Sequence, residues 1–339
     1  MPVKPRTLAV ERKSLPLAHP FRISGHVFTT SDVIEVTLCD GPHFGRGEAA
    51  GVYYLGDRVP EMMSGVEQAR EAIERGIDRE ELRTLLPAGG ARNALDAALW
   101  ELEAKQADTP VWQLAGLDAA PRPIVTTFTL GAEDPEVMAR RATEFAEPRA
   151  IKIKLTGDLP LDIARVAAVR AAKPQCWLGV DANQGFGIAD LDALVEGLTA
   201  HDVQLLEQPL ARGREADLDG YDCPIAIAAD ESVLTLADVA GAIGRFQVIN
   251  IKLDKCGGLT EGLEMARAAR AHGLKVMVGN MVGSSLSMAP AFVLGQLCDI
   301  VDLDGPIFLA KDRVPAITYE RGTVWCGEDI WGRASAGAG

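Results

Sequence analysis

Residues 150–155 read AIKIKL, residues 177–181 read WLGVD, and residues 203–207 read VQLLE. Each stretch is short and apolar and carries a charged side chain at or beside its end. The segments between them have the apolar spacing of amphipathic helices. A strand of about 5 residues, a helix of about 11 and two loops of about 4 give a repeat of roughly 24 residues. This pattern predicts parallel strands joined by crossover helices.

The same alternation runs from about residue 120 almost to the end of the chain. The predicted strands are Val125–Leu130, Ala150–Leu155, Trp177–Asp181, Val203–Glu207, Ile225–Ala228, Val248–Leu253, Lys275–Val278 and Ile300–Leu303. The helix-compatible segments include Leu161–Ala172, Ala189–Thr199, Leu236–Gly241, Glu261–Ala271 and Ser285–Leu297. Eight such units close into a (β/α)₈-type barrel, a modified TIM barrel, so the predicted fold class is α/β.

The first hundred residues have a different pattern, which predicts a small α+β capping domain. Its predicted strands are Thr7–Val10 and Val33–Leu38, and its predicted helices are Pro60–Arg75 and Ala91–Ala107. We expect the cap at residues 1–118, the barrel with the site at 119–308, and a C-terminal tail at 309–339 that returns to the cap. The predicted strands of that tail are Ile317–Tyr319 and Gly322–Val324.

The composition of the chain argues against a nucleic-acid-binding, membrane-spanning or secreted protein. The chain has 339 residues, 47% of them hydrophobic, with 34 basic and 48 acidic side chains and a formal net charge of −14. Such an acidic surface repels nucleic acid and anionic lipid. No apolar run reaches the roughly 18 residues of a membrane span, and the N-terminus lacks the apolar core of a signal peptide. The six scattered cysteines suit reduced thiols, so we expect a cytoplasmic protein.

Charged residues recur where the predicted barrel strands end. Since the carboxyl ends of barrel strands form the active-site face, we expect these side chains to converge on one rim. Successive members of the first five are separated by 27, 26, 23 and 25 residues, about one repeat each. The residues are Lys154, Asp181, Glu207, Asp230 and Lys255, followed by Asp302 and Asp304.

Three consecutive strand ends carry carboxylates, namely Asp181, Glu207 and Asp230. Bringing three negative charges together is costly unless a cation lies between them. Hard oxygen ligands favour Mg²⁺, which predicts one Mg²⁺ per subunit. For any one of these residues alone, a helix N-cap or a surface ion pair is the simpler interpretation, but the common repeat spacing favours the metal site.

Lys154 and Lys255 fall on the second and sixth predicted strands, so a closed barrel places them on opposite sides of its mouth. Burial and a nearby divalent cation both lower the pKa of a lysine toward a value at which it accepts a proton. Lys152 points the same way as Lys154, and its positive charge disfavours a second one nearby. Two bases across a metal suit racemisation or epimerisation, in which the metal stabilises an enediolate.

The chain resembles the enolase superfamily, in its muconate-lactonizing-enzyme subgroup, and within that the dipeptide epimerases. The similarity covers nearly the whole chain, and sites of this superfamily use a lysine or histidine base with Mg²⁺. The motifs that carry it are IKIKL (151–155), VDANQ (180–184), LLEQPL (205–210), ADES (229–232), NIKLDKCGG (250–258) and DLDGP (302–306), with GRGE (45–48) and ARNALDAALWELEAK (91–105) in the cap.

The resemblance implies roles for individual residues. Asp181, Glu207 and Asp230 bind Mg²⁺, and Lys154 and Lys255 are the acid/base pair. The resemblance implies that Lys152 assists at the substrate carboxylate and that Asp302 and Asp304 hold the free ammonium of a dipeptide. It also implies that Thr127, on the first barrel strand, and Asn280, after the seventh strand, contact the substrate. Asn183 and Gln208 support the metal ligands.

The implied reaction is inversion of the α-carbon of the C-terminal residue, in dipeptides of the L-Ala-D/L-Glu type from cell-wall peptide turnover. The arginine that pairs with the glutamate side chain in such enzymes aligns with Gly25, although Arg22 and His26 are close. Alternatives on the same scaffold are a cycloisomerase, an o-succinylbenzoate synthase and an N-acylamino acid racemase. A Schiff-base aldolase and a metal-binding barrel without chemistry remain further classes. A homo-oligomer is also expected.

Overall fold

The computed structural model describes residues 6–23, 26–145 and 147–333. The strands there are β1 Thr7–Ile23, β2 His26–Asp40, β3 His43–Ala49, β4 Ile124–Val125, β5 Thr127–Leu130, β6 Ala150–Lys154, β7 Trp177–Asp181, β8 Val203–Glu207, β9 Ala226–Ala229, β10 Val248–Lys252, β11 Lys275–Gly279, β12 Ile300–Val301, β13 Thr318–Glu320 and β14 Thr323–Trp325. The α-helices are α1 Val59–Arg75, α2 Arg79–Leu85, α3 Gly90–Gln106, α4 Val111–Leu114, α5 Pro135–Glu144, α6 Leu159–Ala172, α7 Ile188–Thr199, α8 Val239–Ala242, α9 Leu253–Cys256, α10 Leu259–Ala271 and α11 Ser285–Gly295. None of the helices in these ranges combines the length and the apolar character needed to cross a bilayer.

Strands β5 to β12 form one eight-stranded sheet whose spatial order follows the chain, and its paired neighbours are parallel. This confirms the predicted α/β barrel class. Alternation along β10 puts Val248 and Lys252 on one face and Ile249 and Ile251 on the other. The two isoleucines pack into the large core with the surrounding helices, whereas Val248 belongs to a small separate cluster with Leu205. The inner face therefore passes from an apolar floor to charged residues at the strand ends.

Side-chain hydrogen bonds join the first and last strands of this sheet. The backbone N–H of Leu303 donates to Thr126 Oγ1 at 2.9 Å, and the N–H of Thr129 donates to Asp304 Oδ2 at 2.6 Å. These bonds take the place of a ladder between β5 and β12, so the residues that follow β12 are held against the start of the barrel.

The cap packs helices α1 and α3 on the antiparallel sheet β1–β2–β3. Both predicted cap helices are present, but the strands are longer than the apolar runs Thr7–Val10 and Val33–Leu38 predicted. The difference has a physical reason, because an antiparallel hairpin with one solvated face alternates polar and apolar residues and gives a weak apolar signal.

The tail strands β13 and β14 form a separate sheet with β4, next to the barrel, and do not join β1–β3. The tail contacts the cap elsewhere. Ala310 N–H donates to Pro16 O at 2.8 Å, and the indole N–H of Trp331 donates to Arg46 O at 3.0 Å. The tail thus contacts the cap at these two hydrogen bonds, while its strands pair beside the barrel. The return of the tail to the cap and the boundaries at residues 118 and 308 stay predictions.

Candidate active site

A cavity of about 600 Å³ lies between the cap and the carboxyl ends of the barrel strands. This size is within the usual range for a small-molecule site. The barrel contributes Lys154, Asp230 and Lys252 to its lining, and the cap contributes Tyr53 and Arg58 among others. The loops and strand ends of two structural units therefore enclose one site.

The predicted carboxylates meet at the base of this mouth. Asp181 and Glu207 end strands β7 and β8 and are register partners, and Asp230 directly follows β9. One oxygen from each of the three lies within 4.8 Å of the others, and all three side chains are buried. Spacing by one repeat brings them together because each lies at, or just after, the end of a neighbouring parallel strand.

Electrostatics at this triad favour a bound cation. Glu207 Oε2 is buried and has no hydrogen-bond partner in the described part of the chain. Burial, followed by the charge of Asp181, raises the pKa of Glu207. A divalent cation would remove both penalties, and three carboxylates with room for substrate oxygens suit Mg²⁺. The donor set therefore fits the predicted magnesium.

Two lysines of β6 lie on the inner face beside the triad. Lys154 Nζ donates to Asp181 Oδ2 at 2.5 Å and lines the cavity. Lys152 Nζ donates to a carboxylate oxygen of Asp302 and lies 3.5 Å from Glu207 Oε2. Burial lowers the pKa of Lys152, but the charges of Asp302 and Glu207 more than offset it and raise that pKa. Lys152 is thus held as a cation at the edge of the triad.

On the opposite side, the structure places Lys252 at the mouth and Lys255 behind it. Lys252 is the last residue of β10, lines the cavity, and donates to Asp230 Oδ2 at 2.6 Å. Burial alone would lower the pKa of Lys252. The negative charges of Asp230 and then Glu207 together have the larger effect and raise this pKa well above its usual value. Since four sheet positions separate β10 from β6, Lys252 faces Lys154 across the three carboxylates.

Lys255, which the repeat spacing predicted at the mouth, lies on the short helix α9, beyond the end of β10. Its Nζ contacts four oxygens at 2.6–3.0 Å, which are Asp230 Oδ1 and the backbone carbonyls of Asp230, Val233 and Asn250. It is 2% exposed and is not among the cavity-lining residues. The chain turns into a helix at Leu253, so Lys255 points back toward the Asp230 backbone, and its predicted placement is corrected.

The predicted substrate-contacting residues group around Asp302. Its carboxylate accepts hydrogen bonds from Thr127 and Lys152, and its backbone oxygen accepts one from Asn280 Nδ2 at 2.5 Å. Asn280 lines the cavity, whereas Asp302 and Asp304 are each 3% exposed. Burial, then the charge of Asp302, raises the pKa of Asp304 to about 6. The structure thus brings these five residues together next to the triad.

Asn183 and Gln208 lie where support for the metal ligands was predicted. Asn183 N–H donates to Asp181 Oδ1 at 2.9 Å, and its buried Oδ1 has no partner in the described part of the chain. Gln208 Oε1 accepts from the N–H groups of Asp230 and Ser232 at 2.9 and 3.1 Å. Both residues have φ near +40°, a strained conformation that turns the chain sharply after each ligand strand.

Two site residues besides Lys252 were not predicted. Asn250 Nδ2 donates to Glu207 Oε1 at 2.6 Å, and Glu231 lines the cavity beside Asp230. The alternation of side chains along β10 would have revealed Asn250, since it lies two residues before Lys252 on the inner face. Gly25, the position of the expected glutamate-binding arginine, lies outside the described residues.

Family profiles match both units of the chain. The "Mandelate racemase / muconate lactonizing enzyme, N-terminal domain" matches residues 6–116, and the "Enolase C-terminal domain-like" family matches residues 137–305. The two matches correspond to the cap and to most of the barrel.

Two relatives match most of the chain. The L-Ala-D/L-Glu epimerase of Escherichia coli (strain K12) is 36% identical over 94% of this chain and 98% of its own. An N-acetyl-D-glutamate racemase of a Pseudoalteromonas species is 42% identical over 74% of this chain and 78% of its own. The first relative is named as an epimerase and the second as a racemase.

Solved structures share the fold. An enolase family member from Agrobacterium tumefaciens with homology to dipeptide epimerases, bound to sodium and L-Ala-L-Glu, has a TM-score of 0.93 at 38% identity and covers 97% of this chain and 100% of its own. A dipeptide epimerase from Methylococcus capsulatus, complexed with Mg and L-Arg-D-Lys, has a TM-score of 0.88 at 28% identity, covering 95% and 97%. The chain therefore belongs to the mandelate racemase/muconate lactonizing enzyme family of the enolase superfamily.

Proposed function

We propose that this enzyme is a Mg²⁺-dependent dipeptide epimerase that inverts the α-carbon of the C-terminal residue, with Lys154 and Lys252 as its two acid/base groups. The observation that carries the proposal is the pair of strand-end lysines that line one cavity on either side of a carboxylate triad. As an epimerase it is an isomerase, in agreement with the names of its relatives.

The triad Asp181, Glu207 and Asp230 would hold the metal. Bound Mg²⁺ supplies positive charge that stabilises the negative charge developing on the substrate carboxylate and lowers the pKa of nearby lysines. Asn250 donates to the Glu207 carboxylate and Gln208 accepts from the Asp230 backbone, so the Glu207 oxygen and the Asp230 main chain are held in place before substrate binds.

The two lysines then move one proton each. One lysine, as the neutral amine, takes the α-proton from its face of the substrate and becomes an ammonium. The other lysine, as an ammonium, returns a proton from the opposite face. Because Lys154 and Lys252 lie on β6 and β10, across the barrel from each other, removal and return occur on opposite faces and the configuration inverts. The reverse reaction exchanges the two roles, so both epimers are substrates.

We further propose that Asp302 and Asp304 receive the free ammonium of the dipeptide, since an ammonium offers three donors to two carboxylates. Thr127 and Asn280 hold the Asp302 carboxylate and backbone in place, and Lys152 assists at the substrate carboxylate. In this structure the Asp302 carboxylate is engaged by Lys152 and Thr127, so substrate binding must share or replace those contacts.

A second candidate is an N-acylamino acid racemase, and the 42% identity to an N-acetyl-D-glutamate racemase favours it. The lysines and the triad would serve it equally. The difference lies at the substrate nitrogen, because an acylated nitrogen carries no charge and has no need of the Asp302 and Asp304 carboxylates.

Incubation with Mg²⁺ in D₂O tests both candidates. With L-Ala-L-Glu, we expect deuterium at the glutamate α-carbon in both epimers. NMR and mass spectrometry measure this incorporation. N-acetyl-L-glutamate is the matched comparison, with the same side chain and no ammonium. Exchange in the acetylated compound alone would replace the first candidate with the second, and no exchange in either would contradict both. A cell-wall origin of the dipeptide, a homo-oligomeric state and a cytoplasmic location stay predictions.

A further inference from the structure

We propose that Arg58 is the specificity residue of this cavity and binds an anionic side chain on the residue whose α-carbon is inverted. The inference rests on the proposed function and names its substrate class, acidic dipeptides. It holds equally for the acylated alternative, because it concerns the side chain and not the nitrogen.

The other cations that line the cavity already have carboxylate partners within this chain. Lys154 donates to Asp181 and Lys252 to Asp230, as described above. Arg12 pairs with Asp32 at 3.1 Å. These three cations are therefore neutralised from inside the protein and offer little to an incoming anion.

Arg58 differs from them. It lines the same cavity and is exposed, and within the described part of the chain its guanidinium makes no ion pair and no side-chain hydrogen bond. The neighbouring carboxylate of Asp57 is engaged elsewhere, because Asp57 Oδ2 accepts from the N–H of Gly90 at 2.7 Å. An exposed arginine thus lines the cavity, and its guanidinium has no partner in the described part of the chain.

The backbone of Arg58 is held firmly although its side chain is free. Its N–H donates to Gly56 O at 3.1 Å, and its carbonyl accepts from the N–H of Met62 at 2.9 Å, in the first turn of α1. The fixed backbone anchors Arg58 at the cavity wall, so ligand binding has to order only its side chain. The planar guanidinium forms two parallel, charge-assisted hydrogen bonds with a carboxylate. An apolar substrate side chain such as leucine offers no acceptor for them.

The proposed function already assigns the other charged groups of the substrate, which leaves its side-chain carboxylate as the group for Arg58. The α-carboxylate is assigned to the metal triad and Lys152, and the amino end to Asp302 and Asp304. A glutamate side chain has a second carboxylate with no partner among these. Arg58 is a cavity-lining cation of the cap, and so its charge complements that group.

Substrate selectivity of Arg58→Ala tests the proposal. We expect kcat/KM for L-Ala-L-Glu to fall about 10- to 100-fold, mainly through KM, as for loss of a charged hydrogen bond. With L-Ala-L-Leu we expect a change of less than about threefold. Arg12→Ala is the matched control, since it removes a paired arginine from the same cavity, and we expect it to retain the preference for glutamate.

Charge reversal gives a gain that a misfolded variant cannot show. We expect Arg58→Glu to prefer L-Ala-L-Lys over L-Ala-L-Glu. Equal losses for acidic and neutral dipeptides would overturn the proposal. The proposal would also be overturned if Arg58→Ala kept its preference for glutamate while Arg12→Ala or Arg22→Ala lost it. The side chain of Arg22 lies outside the described part of the chain.

Calorimetric binding with Mg²⁺ present separates this inference from the proposed function. If no dipeptide is epimerised but wild type binds L-Ala-L-Glu at least 10-fold more tightly than Arg58→Ala does, the proposed function fails and the role of Arg58 stands. If wild type and variant bind it equally, the role of Arg58 fails whatever the catalytic result.

Discussion

Two pairs of lysines stand on opposite sides of the same mouth, and their order along the chain is reversed. On β6 the first lysine, Lys152, is buried against Asp302 and the second, Lys154, lines the cavity. On the other side the first lysine, Lys252, lines the cavity, and the second, Lys255, is buried against the Asp230 backbone.

The reversal follows from where each strand ends. β6 continues through Lys154, so both of its lysines share the inner face and the later one lies nearer the rim. β10 ends at Lys252 and α9 begins at the next residue, so the later lysine turns away from the rim. The position at the strand end, and not the position in the motif, decides which lysine lines the cavity.

Replacing the two rim lysines one at a time has the largest expected effect. Lys154→Met and Lys252→Met should each lower the epimerisation rate by roughly 10²- to 10⁴-fold, because each removes one acid/base group. Each variant retains one base, so each should still exchange the α-proton of one epimer with D₂O, and the two variants should retain opposite epimers. ¹H NMR of each pure epimer in D₂O measures this.

Lys255→Met is the control for that experiment. Under the two-base mechanism with Lys252, it should exchange the α-proton of both epimers at saturating Mg²⁺. If Lys255→Met loses exchange of one epimer while Lys252→Met keeps both, the assignment reverts to Lys255.

Stability tests the structural role of Lys255. Lys255→Met leaves Asp230 Oδ1 and the three backbone carbonyls without their shared donor, and breaking a buried ion pair from one side costs about 3–5 kcal/mol. We expect the free energy of unfolding, measured by urea titration, to fall by that order. Lys275→Met, which changes an exposed lysine at the start of β11, should change it by about 0.5 kcal/mol or less. A neutral effect of Lys255→Met would contradict its structural role.

Much of the barrel could be predicted because its repeats are local. β7 and β8 have the predicted bounds, and α6 begins only two residues earlier than predicted. The pairing of β14 with β4 joins segments almost 200 residues apart in the chain. Local periodicity carries no information about such a partner, so the sequence does not predict that the tail pairs with β4.

The candidate site likewise contains residues that repeat spacing could predict and residues that it could not. Asp181 and Glu207 end continuous strands, so repeat spacing placed them correctly beside one another. Spacing cannot separate Lys252 from Lys255, since the two differ by three residues and only the onset of α9 distinguishes them. Arg58 belongs to no repeat and enters the site through the packing of the cap on the barrel.

The smallest predicted effect concerns how the β10 side of the mouth is tied to the cap. Asp96 of α3 is buried and accepts hydrogen bonds from the side chain and the N–H of Thr260 at 2.5 and 3.1 Å, at the start of α10. Burial raises the pKa of Asp96 to about 6, although the bonds from Thr260 oppose the rise. The contact that positions α10 therefore includes a carboxylate that is costly to ionise.

The sign of the resulting pH dependence follows from proton linkage. Between about pH 4 and pH 6 the folded chain keeps a proton on Asp96 that the unfolded chain has lost, so the free energy of unfolding falls as the pH rises through this window. The contribution is at most about 3 kcal/mol for a rise of roughly two pKa units. Asp96→Asn should flatten the decline, as measured by urea titration at several pH values and constant Mg²⁺, whereas Asp118→Asn, at an exposed position, should leave it unchanged. Parallel profiles for wild type and Asp96→Asn would mean that Asp96 is ionised in the folded state and that the α3–α10 contact tolerates its charge.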